Sequence, residues 1–485
     1  MSKPAASIMV HSKKPIECCD ASGFPLSPRY VHPLCYPIIM EDEDNAYATP
    51  DCMSYVRSVV ALRSDCSFGP SDQVNQVTHY LDGSQIYGST MNRTRSLRAF
   101  SGGKLRISTS KGKSYLPISE HPTQDCQVSS PASACFRSGD SRVNFQPALT
   151  AMHTLWYREH NRIADELAAL NDQWDDDRLF HEARRIVIAE MQHITYSDWL
   201  VKVLSGMYVR KLELSSEYEE SGNPAVSNSF ATAAMRALKS LYVGRIELVK
   251  EDRAKNASFE LEKYFNNPEL MRQPDSLDGI VRGLASQRSQ RIDVHYPEAL
   301  INQLYTTGDN GFDVLSLDIQ RGRDHGLPGY VHYRSLCGMP EVRDYDDLVD
   351  VMPQRNIDAL EKVYTSPLDI DLIVGGLMET PEGDSLFGPT FSCIVADQFR
   401  RTKKGDRYFY TNKRQPRPFA NSQLNEIKKV TLARIFCDNT DGVERIQRDV
   451  FERVGEGNEM VACNGTEIPR MNLAPWRESR EKYSH

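Results

Sequence analysis

A mainly α-helical fold, in one large domain braced by disulfides, is predicted by three observations. Apolar residues recur every three or four positions over long stretches, strand signals are few and short, and 485 residues carry eleven cysteines. No Gly/Ser-rich linker, repeat or low-complexity stretch divides the chain. Residues 1–485 therefore read as a single domain, with a Cys- and Pro-rich extended segment over 1–70 and a helical body over 71–475. A formal charge of −8 without a long Lys/Arg block gives no reason to expect nucleic acid or an anionic membrane as partner. No run of about 18 apolar residues is present to span a bilayer.

The elements follow in order. Pro147 stands at a tolerated first-turn position, and Leu149, Met152, Trp156, Ile163, Leu167 and Leu170 then recur at helical spacing. A second long helix is expected from about 175 to 204, with Leu179, Ala183, Ile186, Ile188 and Met191 on its apolar face. Further helices are expected over 229–243, 355–364 and 423–435. The first helix carries HTLWYREHN, with His153, Glu159, His160 and Asn161. Its histidines are not the i, i+4 pair that a zinc protease needs, so they read as satisfied core residues.

The cysteines, some as close as Cys126 with Cys135 or Cys52 with Cys66, point to an oxidising, secretory compartment. Three N-x-S/T sequons, at Asn92, Asn256 and Asn464, agree. The opening MSKPAASIMVHSKKPIECC has no apolar leader, so export implies that Met1 is not the natural start or that another route operates.

Four segments are then recognisable: ALTAMHTLWYREHNRIADEL (148–167), HEARRIVIAEMQHITYSDWL (181–200), LDIQRGRDHGLPGY (317–330) and LARIFCDNTDGVERIQRDVF (432–451). From about Lys14 to Pro475 the chain resembles the animal haem peroxidases, which include myeloperoxidase, thyroid peroxidase and the peroxinectins. The resemblance implies haem and calcium as cofactors. It also implies a proximal His oriented by an Asn, and a distal His and Arg that cleave peroxide.

By position, the family's G-D-x-R segment places the distal Arg at Arg142, and Phe145 stands where a Glu esterifies haem. FATAAMRALKSL aligns with the proximal helix and puts Lys239 at the His position, while Asp318 stands at the orienting Asn. A lysine amine with a pKa of about 10.4 is a poor iron ligand at neutral pH. A buried ammonium calls for a carboxylate, so Lys239 and Asp318 are expected to form an ion pair. No G-Q-x-x-x-H-D distal motif occurs, and His11 lacks its neighbours. QVTHYLDGSQIYGS offers Thr78, Tyr80, Asp82 and Ser84 as calcium ligands.

The family also implies disulfides joining Cys18 and Cys19 to Cys35 and Cys52, Cys126 to Cys135, Cys337 to Cys393 and Cys437 to Cys463, leaving Cys66 over. The expected function is a secreted, catalytically inactive peroxidase-like protein with a structural, extracellular-matrix or cell-surface adhesive role. The alternative is a haem-dependent peroxidase that oxidises small donors with hydrogen peroxide. A KGD tripeptide, Lys404 to Asp406, resembles integrin-binding loops but lies in the family pattern GDRYFY.

Overall fold

The first long helix, α1 (Pro147–Leu170), starts where Gln146 turns its side chain to accept the Ala148 N–H at 2.7 Å, with Pro147 in the first turn. This is a computed structural model; it describes residues 16–478 except 21, 41–51, 64, 122–125, 127–133, 215–216 and 308–309. Ala151, Leu155, Ile163 and Leu167 on α1 are fully buried, and α1 packs along α2 (Asp176–Ile194). Asp175 caps α2 by accepting the Arg178 N–H at 2.8 Å. The expected run to 204 continues, but through a widened π turn at Thr195–Trp199 before a last turn at Leu200–Val203.

The regular helix expected over 229–243 does not form. Phe230–Ala234 is a π turn and Ala237–Leu241 a 3-10 turn. Side chains compete locally with the helical ladder: Ser227 Oγ accepts the Phe230 N–H at 3.3 Å, and Thr232 Oγ1 bonds Asn228 Oδ1 at 3.1 Å. Downstream, Arg245–Val249 and Lys255–Glu260 form the longest of the five two-stranded antiparallel pairs among the described residues. The helix α3 (Ser276–Ser286) lies against this pair, and a Cβ on Gly283 would collide with the Glu247 carbonyl.

α4 (Val314–Asp324) anchors the N-terminal segment. The Asp324 carboxylate accepts from Tyr55 Oη at 3.2 Å, Arg57 Nη1 at 3.2 Å and the Ser58 N–H at 2.8 Å. Gln320 donates to the Tyr36 carbonyl at 2.9 Å. The described part of that segment is extended and stapled by Cys18–Cys35 and Cys19–Cys52. Such closures each typically contribute about 2–4 kcal/mol.

Cys393, on α5 (Pro389–Gly405), is bonded to Cys337, and Cys126 to Cys135. Gln354–Val363 is helical as expected. The segment 423–435 splits into Asn421–Ile427 and α6 (Leu432–Asn439), because Thr431 caps a new helix by accepting the Arg434 N–H. Cys437 on α6 is bonded to Cys463, and Cys66 is free and exposed. Apolar side chains from Ile86 to Trp476 form one contiguous buried cluster. The class is mainly α, with few short strands and several disulfides.

Candidate functional site

Asp318, on α4, is 1 % exposed at its side chain and lies at the centre of a charge cluster. Lys239 Nζ bonds its Oδ2, and Arg236 Nη1 donates to its Oδ1 at 2.6 Å. Arg321, one turn on along α4, brings Nε to 3.9 Å. The irregular 230–241 segment explains how two cations reach one carboxylate. Side chains three apart nearly eclipse in a 3-10 turn, so Arg236 and Lys239 stand one above the other. The expected pair is therefore a cluster of three cations around one anion, and Arg236 and Arg321 were missed. The i, i+3 spacing of both 236/239 and 318/321 was the available signal.

Burial pulls the Lys239 ammonium down to about 8; Asp318 opposes the fall, and the neighbouring Arg236 charge adds to it. Burial pushes Asp318 upward, but Lys239, Arg236 and Arg321 together hold it below its ordinary value.

Lys239 lines a cavity of about 270 Å³ with Arg142, Phe145, His153, Tyr242 and Leu300, among others. One wall is a single continuous face. Arg142 and Phe145 come from a 3-10 turn (Ser141–Asn144) and its cap, and Leu149 and His153 follow at i+4 steps on α1. Arg142 is folded back on Asp140, with Nε at 2.9 Å from Oδ1 and Nη2 at 2.5 Å from Oδ2. Burial raises Asp140, but the hydrogen bonds and charge of Arg142 prevail and bring it to about 2. Phe145 stacks on Phe265 at 5.3 Å between centroids and meets Tyr305 edge-on at 6.0 Å.

His153 is buried, bonds Ser138 Oγ through Nδ1 at 2.9 Å, and is pushed by burial to about 4, so it is neutral at pH 7. Sequence reading placed it in the core and missed its place on the cavity wall, although the 142, 145, 149, 153 spacing carried that signal. His160 has both ring nitrogens engaged, with Tyr87 Oη and the Gly103 carbonyl, each at 2.9 Å. His160 is thus a satisfied core residue, whereas His153 is a buried residue bonded through Nδ1 that also borders the cavity.

The other sequence candidates lie elsewhere. At the calcium loop, Thr78 Oγ1 donates to the Tyr80 carbonyl at 3.4 Å, and Asp82 Oδ1 accepts the Ser84 N–H at 3.1 Å. Among the described residues no three His, Cys, Asp or Glu side chains converge to hold a metal ion. Asn92, Asn256 and Asn464 are all exposed. Asp406 of the KGD tripeptide is buried; its Oδ1 accepts the Tyr408 N–H at 2.8 Å and its Oδ2 faces Gln192 Nε2 at 3.2 Å, which withdraws it from adhesion. His11 lies outside the described residues. No helix among them is long and apolar enough to cross a membrane.

The animal haem peroxidase family profile matches residues 1–451. The chain is 35 % identical over 482 residues to a Drosophila melanogaster protein named Peroxidase, covering 96 % of this chain and 70 % of that one. It is 37 % identical over 489 residues to the Chorion peroxidase of the same organism, covering 97 % and 60 %. In structure it resembles Peroxidase A from Dictyostelium discoideum with a TM-score of 0.73, at 27 % identity, over 86 % of this chain and 82 % of that one. A family match along nearly the whole chain, and relatives above the level at which fold and ancestry are shared, leave one conclusion: the chain belongs to the animal haem peroxidase family.

Proposed function

We propose that this chain is a secreted peroxidase-like single domain without a working haem site, acting as a structural or adhesive component of an extracellular matrix. The observation that carries the reading is the Asp318 cluster. By the family resemblance Lys239 stands at the proximal His and Asp318 at its orienting Asn. An ammonium bonded to a carboxylate has no lone pair to offer iron.

The other contacts agree. Phe145 stands where the family has an ester-forming Glu, and its ring is packed into an aromatic trio. Arg142, at the family's distal Arg, is committed to Asp140. The cavity of about 270 Å³ lies just below the ~300–1,000 Å³ range of pockets that hold drug-sized ligands. The residues present do not fit haem. Calcium at the loop from Thr78 to Ser84 would rest on one carboxylate, Asp82, and would have to part the hydrogen bonds now joining Thr78 to Tyr80 and Asp82 to Ser84. Five disulfides and the exposed Asn92, Asn256 and Asn464 support secretion with N-glycans.

The test is the Soret band and iron content of purified full-length protein, with peroxide-dependent oxidation of iodide or a phenolic dye. The expected result is no stoichiometric haem and no turnover above free haemin; haem-loaded, active protein would overturn the proposal. A second reading, a working peroxidase with another axial ligand, is favoured by the neutral His153 imidazole on the cavity wall. A Soret band that disappears in His153→Ala would select it.

A further inference from the structure

The cavity is more specific in its chemistry than a merely emptied space. Phe145, Leu149, Tyr242 and Leu300 give it apolar walls. The Lys239 ammonium, which lines it, lends one of three N–H groups to Asp318. Around that ammonium stand Asp318, Arg236 and Arg321; Asp324, itself shared with Arg57, also acts on Arg321, so the cluster keeps at least one positive charge that no carboxylate cancels. Among the other wall groups, Arg142 and Asp140 neutralise each other, and the buried His153 is uncharged at pH 7. Uncompensated positive charge beside an apolar hollow favours a ligand with an anionic head and an apolar body. Inorganic phosphate would leave the walls unused, and a neutral apolar molecule would leave the charge unanswered.

We propose that this cavity binds a small amphipathic carboxylate, its apolar body against Phe145, Leu149, Tyr242 and Leu300 and its carboxylate on the Lys239 ammonium. The site rests on the haem-free reading, because haem would occupy the same space. Binding is non-covalent, and Lys239 is the anchoring residue. A further anion beside the ammonium favours its charged form, so binding draws a proton from solution where Lys239 is partly neutral.

The experiment titrates full-length, haem-free protein with 2-naphthoate and, in parallel, with its uncharged isostere 2-naphthamide, by calorimetry in two buffers of different ionisation enthalpy. Naphthoate is expected to bind saturably at one site, with the amide about tenfold weaker or more, the discrimination that a hydrogen bond to a charged group supplies. Proton uptake on naphthoate binding should be small near pH 7 and grow toward about pH 9. In Lys239→Met, whose folding is checked by its melting transition, the two probes should bind alike and the proton uptake should vanish. Equal binding of acid and amide to the parent protein would overturn the inference, and so would absence of saturable naphthoate binding. The failure modes are distinct: protein that purifies with stoichiometric haem sinks the haem-free reading, whereas haem-free protein that ignores naphthoate sinks this inference alone.

Discussion

Two buried charge clusters in this protein handle the same problem differently. On α1 and α6, Glu159 accepts from Arg162 at 2.5 and 3.0 Å and from Asn439 Nδ2 at 2.6 Å. Asp438 beside it pairs with Arg434 at 2.9 Å and with Arg470 at 2.6 Å. A further carboxyl, Glu190, is pushed well above its ordinary value by burial and by the Glu159 charge, and Arg162 pulls it down. The Asp318 cluster has one carboxylate bonded to its cations, a second, Asp324, that reaches only Arg321 and is shared with Arg57, and a cavity on its Lys239 side. Glu166 takes the other side of Arg162 at 2.7 Å, so three carboxylates face Arg162, Arg434 and Arg470, and the first arrangement cancels its charge internally and joins two helices. The second leaves positive charge over where a ligand can reach it, which is why the site is read there and not in the richer cluster.

The largest test removes the central carboxylate of each. Asp318→Ala strands Lys239 and Arg236 and should destabilise by about 3–5 kcal/mol, measured by urea denaturation. Glu159→Ala should cost less, about 1–3 kcal/mol, because Arg162 keeps Glu166 at 2.7 Å and its attraction to Glu190 is no longer opposed by the Glu159 charge. Equal losses, or an Asp318→Ala loss under about 1 kcal/mol, would erase the distinction and mark the Asp318 cluster as solvated.

The next test concerns the surplus. Lys239→Met leaves Asp318 paired with Arg236 and removes an ammonium whose burial outweighs its attraction to Asp318, so it should stabilise by about 1–3 kcal/mol at pH 7. Combining it with Asp318→Ala should not restore stability, since Arg236 remains unpaired. A simple two-membered pair, as the sequence suggested, would be rescued by that double change. The sign with pH follows from the lowered ammonium. Its value falls from an ordinary 10.5 to about 8 on folding, so the unfolded chain holds more protons between these values. The penalty is full below about pH 8 and fades toward pH 10.5. The stability gap between Lys239→Met and the parent should therefore close over that window.

Sequence legibility followed the range of the interactions. α1 and the start of α2 were legible because their apolar periodicity and caps are local. The segment from 230 to 241 was not. Its Ala-rich pattern suits a helix, but Ser227, Asn228 and Thr232 redirect the backbone, and a partner distant in sequence, His325, holds Thr232 Oγ1 at 3.1 Å. For the same reason the Lys239 and Asp318 contact was legible through family positions, while Arg236 entered only when the 3-10 turn stacked it over Lys239. His153 looked like core because it is core, bonded to Ser138. That one face of its helix also borders a hollow depends on Lys239, Tyr242 and Leu300, between about 85 and 150 residues away in the sequence.

The smallest expected effect lies on the balanced wall of the cavity. Arg142 and Asp140 form a pair whose guanidinium side chain is 41 % exposed, so solvent screens much of its attraction. Asp140 also accepts the Arg142 backbone N–H at 2.8 Å, a bond that survives truncation. Arg142→Ala should therefore cost no more than about 1 kcal/mol at pH 7. The sign with pH differs from that of Lys239. Asp140 is lowered on folding from 3.8 to about 2, so its stabilisation is complete above pH 3.8 and is lost as pH falls through about 2. Parent and Arg142→Ala should differ by their small constant amount above pH 4 or so and converge toward pH 2 as the carboxylate is protonated in both. A loss of several kcal/mol at neutral pH that persisted below pH 2 would mean that Arg142 braces the fold through contacts other than Asp140. The cavity wall would then be as charge-dependent as the Asp318 side, and the contrast between a neutralised wall and a positive one would fail.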